Sequence, residues 1–424
     1  MPEMVHLRRV HQDVETSISV AVEVSRQLAP VLSVIKSGDS VAVGVGSRGI
    51  ARIAELVTAV TDVLRAHGAR PYIIPAMGSH GGATAEGQLA VLADLGISQD
   101  RLGVPVEASM DTLVIGEAAG MKVHVARAVS RADHVLVVNR LKSHTSFAGR
   151  IESGLAKMVA VGLGKQRGAE ELHRRGPLEL EERIVAACEL IRSEVPLLGG
   201  LAIIENRRKG IESIHFLDGS QIGGPLEIAL LEKARQHEAR LPFNEIDVLI
   251  VDTMGKEISG TGMDTNVIGR RMVRGSPEPA APTITNVVVL SLSAGSEGNA
   301  IGVGLADFIP VTILGQIDLG ATYANALTAG LQGVQRAQIP IILATDRDAV
   351  AAALLTAGLS DLGDAKVVRI RNTLALDEIL ISPNLLPSAT GHQQVAHVRA
   401  AALFDDGGSL TPWPDSRPPS EAHT

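Results

Sequence analysis

Three imidazoles, a lysine and an arginine stand where one chain can turn them on one substrate. His144 lies near the head of the stretch 141–173, Lys157 sits in its small apolar middle, and His173 follows sixteen residues after that lysine (173 − 157). A histidine titrates near neutral pH, so it can take or give a proton, and its neutral ring can ligate a metal. A lysine amine can hold a group covalently. Upstream, Arg48 in Gly46-Ser47-Arg48-Gly49 can grip a carboxylate through its planar fork of N–H donors. His80 stands among glycines in Met77-Gly78-Ser79-His80-Gly81-Gly82, a setting that lets backbone and ligand approach closely.

The surrounding pattern says how such groups are positioned. Residues 41–45 are a short apolar run that reads as a buried parallel strand, and Arg48 follows it. A helix is expected over 50–67, closed by Gly68 as its C-cap. Residues 71–76 form the next strand and lead to His80; Thr84 then caps a helix running to about residue 95. Residues 134–139 form a further strand that delivers Arg140 to His144. Strand, loop and helix in repetition mark a doubly wound α/β sheet, whose ligands sit outside the carboxyl ends of the strands. Arg48, His80 and His144 all fall at such ends, and that convergence carries the functional reading. His124, inside an alternating segment, reads as structural. Cys188, the one cysteine, lies in a helical apolar pattern and reads as a buried thiol. A single cysteine permits no disulfide within the chain and no cysteine-based zinc site.

A helix with a kink at Pro30 is expected over 18–36. Further helices are expected over 178–193 and 225–240, with a strand over 197–204 between them. A domain boundary falls at Asn244-Glu245, and residues 247–252 open a second α/β unit. Its Gly-rich loop over 255–264 and the segment 296–302 bring Lys256 and Asn299 as substrate contacts. The fold expected is therefore α/β with two domains, each a largely parallel sheet flanked by helices, and an active site in the cleft between them. Residues 1–243 form the N-terminal catalytic and cofactor domain and 244–385 the C-terminal domain. Residues 386–424 return to the N-terminal domain and end in a frayed tail, Gly-, Pro- and Ser-rich from about Asp405.

Composition narrows the partners. At 424 residues two domains are the natural division. A net charge of −8 and 2% aromatic residues argue against a nucleic-acid binder, which needs a basic face and stacking platforms. No apolar run of 18 or more residues suggests a membrane span, and the first residues lack the apolar core of a signal peptide. A cytoplasmic protein is expected. Two glycine patterns keep other chemistries open. Gly44-x-Gly46-x-x-Gly49 follows a strand, as a dinucleotide fingerprint does, and suggests an oxidoreductase using a nicotinamide nucleotide (NAD). Residues 162–168 carry three glycines, Lys165 and Arg167, and can cradle a phosphate, although they do not form a Walker A motif. A non-catalytic carboxylate- or phosphate-binding protein is the third reading.

The ordered motifs resemble those of the nickel-dependent lactate racemase family. Ser47-Arg48 is similar to its Thr-Arg, and Gly78-Ser79-His80-Gly81 to its Gly-Thr-His-Arg. Lys142-Ser143-His144 with Phe147-Ala148-Gly149 resembles the region bearing its second catalytic histidine. The resemblance implies that Arg48 binds the substrate carboxylate and that His80 and His144 are the acid–base pair. It also implies that Lys157 carries a nickel-pincer nucleotide (pyridinium-3,5-bisthiocarboxylic acid mononucleotide nickel) covalently and that His173 ligates the nickel. Cofactor-synthesis enzymes would be partners and a 2-hydroxy acid the substrate, racemised or epimerised at Cα. The family's Asp before Thr-Arg is Val45 here, the Pro after it is Gly49, and its Gly-Gly-Arg-Lys is Gly-Leu-Ala-Lys. The cofactor anchors thus match, while the substrate pocket differs.

Overall fold

The computed structural model describes residues 1–10, 18–47, 49–207, 210–392 and 394–414. The chain forms two compact units, one of residues 13–238 and one of residues 1–12 together with 239–424. The first strand, β1 (Met4–Val10), therefore belongs with the second half of the chain.

In the 13–238 unit, β2 (Ser40–Val45) and β3 (Arg70–Pro75) are joined by the helix Ile53–Ala66. A hairpin of β4 (Thr112–Ala118) and β5 (Met121–Ala126) stands apart from the main sheet. Then come β6 (His134–Arg140), β7 (Leu197–Glu205) and β8 (Ile211–Asp218). The main sheet among the described residues runs β3-β2-β6-β7-β8, parallel except for β8. One face packs on the helices Val20–Leu32 and Ile53–Ala66 through Val24, Leu28, Leu56 and Val60. The other packs on residues 151–163 and the helix Leu180–Glu194 through Leu155, Val159, Ile184 and Cys188. Burial on both faces explains why these strands read as near-continuous apolar runs. Pro30 is accommodated inside its helix, and Thr84 caps the helix Ala85–Asp94 by accepting from Gly87 N–H.

The other unit contains β9 (Glu245–Met254), β10 (Thr283–Leu292), β11 (Phe308–Pro310), β12 (Ile341–Leu343), β13 (Val367–Ile370), β14 (Glu378–Ile381) and β15 (Gln394–Ala401). Its sheet runs β12-β11-β10-β9-β13-β14-β1-β15, with the first five strands parallel. Strands β14, β1 and β15 pair antiparallel. Both units are thus α/β with largely parallel sheets. The division differs from the expected 1–243, 244–385 and 386–424. The N-terminal strand is claimed by β14 and β15, and β15 pairs with β1 inside the second unit instead of joining the 13–238 unit. A strand made from the two chain ends leaves no local pattern, because its partners lie hundreds of residues away. The tail beyond Asp405 also differs in its described part. Trp413 Nε1 donates to Asp252 Oδ2 at 2.6 Å, and its ring lies 4.4 Å from the Arg371 guanidinium and 5.1 Å from that of Arg369.

Candidate active site

Strand order gathers the candidates of the 13–238 unit. β2 lies between β3 and β6, so Ser47 after β2 emerges between the loop bearing His80 and the loop bearing His144. Arg48 lies outside the described residues. Ser47 Oγ and His80 Nδ1 are hydrogen-bonded, which fixes one ring nitrogen and leaves the imidazole solvent-exposed at the strand ends.

A buried clamp sets the backbone that carries His80. Gln88, fully buried, donates from Nε2 to Gly78 O at 2.9 Å and to His80 O at 3.3 Å. Its Oε1 accepts from Lys165 Nζ at 2.9 Å, and the same ammonium donates to Pro75 O at 2.6 Å. Burial pulls the Lys165 amine down to about 8. Lys165 is 2% exposed, which overturns the expected phosphate cradle over 162–168: its cation is turned into the protein. The glycines there serve close packing. A Cβ at Gly162 would meet Ala76 O at 2.5 Å, so only glycine lets this segment seat the His80 loop.

The His144 loop is held by a second buried charge. Glu152, 3% exposed, accepts from the N–H groups of His144 and Gly149 and from Arg235 at 2.7 Å. Ser146 N–H donates to His144 Nδ1 at 3.0 Å, so the neutral ring carries its proton on Nε2. The His144 and Phe147 rings lie 4.6 Å apart, and Lys157 Nζ is 5.8 Å from the centre of the Phe147 ring. Lys157 ends a short helical turn, Leu155–Lys157, whose start is tied to buried Glu227 by Ala156 N–H at 3.1 Å. A π-helical turn, Met158–Gly162, follows at once; such turns recur at functional sites.

His173 closes the group. Its Nδ1–H donates to Ala169 O at 2.7 Å, which leaves the Nε2 lone pair outward, and among the described residues Nε2 has no hydrogen-bond partner. Desolvation, and after it the charges of Lys157 and Arg183, pull its pKa below the usual imidazole range against the opposing Ala169 bond. The ring is nonetheless exposed to solvent. Desolvation favours the neutral form of the ring although part of it is open to solvent. Among the described residues no group of three or more His, Cys, Asp or Glu side chains is placed to hold a metal ion.

Lys256 and Asn299 lie in the other unit and converge on a residue that sequence reasoning missed. Lys256 Nζ and Asn299 Nδ2 both donate to Asn325 Oδ1, the latter at 3.2 Å. Asn325 sits on the helix Leu319–Ala329, where its polar type among small and apolar residues was the available signal. Glu152, Gln88 and Lys165 were missed or misread because a buried charge can be told from a surface one only by its neighbours.

The alternative of a dinucleotide fingerprint fails on geometry. The helix after β2 begins at Ile53, four residues past Gly49, whereas the fingerprint needs its glycines to open the helix onto the pyrophosphate. Gly44 and Gly46 instead make room for Val137 and Met158, each 3.1 Å from where a Cβ would stand. His124 is buried beside Thr112 Oγ1, and Cys188 is buried with its thiol pushed up to about 12; neither joins the site.

The architecture defined by these two sheets is a lactate racemase-like α/β fold. The chain is similar over 88% of its length to the lactate racemase apoprotein from Thermoanaerobacterium thermosaccharolyticum, covering 99% of that chain at 12% identity with a TM-score of 0.52. It is also similar to a Thermotoga maritima protein solved by a structural genomics consortium, with 75% and 81% of the two chains covered, 12% identity and a TM-score of 0.51. No protein-family model and no curated protein sequence matches the chain.

Proposed function

We propose that the chain is a racemase or epimerase that inverts the α-carbon of a 2-hydroxy acid, using a nickel-pincer nucleotide joined covalently to Lys157 and ligated through His173. The observation that carries the reading is the strand order. The loop after β2 emerges between the two histidine loops, and inverting a carbon calls for acid–base groups on two sides of a substrate held by one end.

The residues fit the cofactor. A nickel that arrives already held by its pincer asks little more of the protein than one neutral imidazole. His173 offers Nε2 with its other nitrogen fixed by Ala169 O, the orienting bond that metal-bound histidines use. Desolvation first, and the Lys157 charge after it, keep that imidazole in its neutral form. When bound, the cofactor supplies an acceptor and donor for the substrate's Cα hydride.

The protein's own residues do the rest. Arg48 grips the substrate carboxylate by a paired fork, a role proposed from sequence alone. One histidine of the pair His80 and His144 takes the hydroxyl proton as general base, and the other returns one to the planar 2-oxo acid presented in the opposite orientation. In its neutral form His144 holds its proton on Nε2, from where it can hydrogen-bond the substrate oxygen; it returns a proton only as the imidazolium. In the other unit Lys256 and Asn299 both donate to Asn325 Oδ1, and their role as substrate contacts is proposed from sequence alone. A cytoplasmic location, with cofactor-synthesis enzymes as partners, completes the proposal; no helix among the described residues is long and apolar enough to cross a membrane.

The test is the full chain produced beside the cofactor-synthesis enzymes and offered a panel of 2-hydroxy and sugar acids. Stoichiometric nickel, an adduct mass on Lys157 and epimer formation or Cα hydrogen exchange are expected. Protein so produced that carries neither nickel nor adduct sinks the proposal. An exchangeable nicotinamide nucleotide would return the oxidoreductase reading, and carboxylate binding without turnover would return the binding-protein reading.

A further inference from the structure

Lys165 bears two costs at one position. Its backbone lies in the left-handed region at φ +55°, which a residue with a side chain rarely adopts, and its ammonium is 2% exposed. Among the described residues no carboxylate accepts from that ammonium; its partners there are two neutral oxygens, Pro75 O and Gln88 Oε1. Strain and desolvation kept together at one residue point to a purpose in what the residue holds. Pro75 ends β3, and Gln88 passes the contact on to Gly78 O and His80 O. Three carbonyls of the segment 75–80 are therefore tied to one ammonium and one amide, both fully enclosed.

We propose that Lys165 is a positioning residue. Through Gln88 it locks the backbone of residues 75–80 and so sets the direction in which the His80 imidazole leaves the strand end. An apolar residue of similar length would fill the space but would leave Pro75 O and Gln88 Oε1 without a donor. Gln88 would then be free to turn its amide away from Gly78 and His80. His144 is held independently, by Glu152 and Arg235, so the effect of Lys165 is confined to one histidine. This inference rests on the reading of His80 as an acid–base group, and its test does not use turnover.

The experiment compares wild type, Lys165→Met and Gln88→Leu as full chains by amide hydrogen exchange and by NMR of histidines labelled at Cε1. Both variants are expected to exchange amides over residues 75–83 at least tenfold faster. In both, the His80 resonance should move and its titration midpoint change, while the His144 resonance and its titration stay as in wild type. If residues 75–83 and His80 behave as in wild type, or if His80 and His144 change alike, the positioning role is wrong. Should Lys165→Met fail to fold, Gln88→Leu decides, because it cuts the same link from the other end and leaves the ammonium on Pro75 O. Loss of racemase activity in the wild type would count against the proposed function and leave these readouts unaffected.

Discussion

At the scale of single residues, protonation state decides what each candidate can do. Desolvation favours the neutral form of His173, and its Nδ1–H bond to Ala169 O leaves Nε2 available. Its folded pKa is depressed, so it stays ligand-competent below the usual imidazole midpoint of about 6.5. The sign is that of a proton withheld by the native state: as pH falls below the unfolded midpoint, the unfolded chain binds a proton that the native ring refuses, and the contribution to stability is lost. NMR titration of His173 is expected to show a midpoint below that of a free histidine; a midpoint at or above it would refute the neutral-ligand assignment. Lys157→Ala should abolish the adduct and with it nickel retention, measured by intact mass and metal analysis. His173→Ala should lose nickel while keeping the adduct.

At the scale of elements, the two histidine loops rest on buried charges of opposite sign. Glu152→Ala removes the acceptor for two loop N–H groups and leaves Arg235 facing its vacated place. Breaking such a buried pair costs about 3 kcal/mol, to be read by denaturant unfolding; a loss below about 1 kcal/mol would mean that the loop holds itself. Lys165 has the same sign of linkage as His173, at higher pH. Its folded pKa lies near 8 against an ordinary 10.5, so between those values the native state releases a proton that the unfolded chain keeps. Stability attributable to Lys165 therefore rises with pH across that window, by up to about 3 kcal/mol for a shift of this size. Lys165→Met should remove that rise, and equal slopes in wild type and variant would show that the amine is not desolvated. The sequence showed where these loops fall, through short apolar runs ending in glycine and polar residues. It did not show the clamps, because Gln88, Glu152 and Lys165 come from segments that read as ordinary helix surface or glycine-rich loop.

At the scale of the whole molecule, each unit has a sheet with an apolar core on either face, and each carries its own intrinsic probe. Trp413 is the one tryptophan and sits on Asp252, Arg369 and Arg371 in the unit that joins both chain ends. Cys188 is the one cysteine, buried in the 13–238 unit. Asp252→Asn weakens the Trp413 bond and its buried pair with Arg369. It should lower the denaturant midpoint seen by tryptophan fluorescence and leave that for Cys188 thiol exposure where it is. Midpoints that move together would show that the units unfold as one.

By itself the sequence determined the local order of strands, loops and helices and the residue types at the strand ends. These follow from short-range periodicity and turn chemistry, which a linear reading captures. It also carried the ordered motifs around Arg48, His80 and His144 on which the resemblance turned. Only the tertiary structure decided that β2 lies between β3 and β6, that Lys165 points inward and that Gly44 and Gly46 pack instead of opening a helix. The pairing of the chain's first strand with its last, and the joint use of Asn325 by Lys256 and Asn299, belong to the same class. Each depends on contacts between segments far apart in sequence, where packing and desolvation choose among several arrangements that local patterns allow equally.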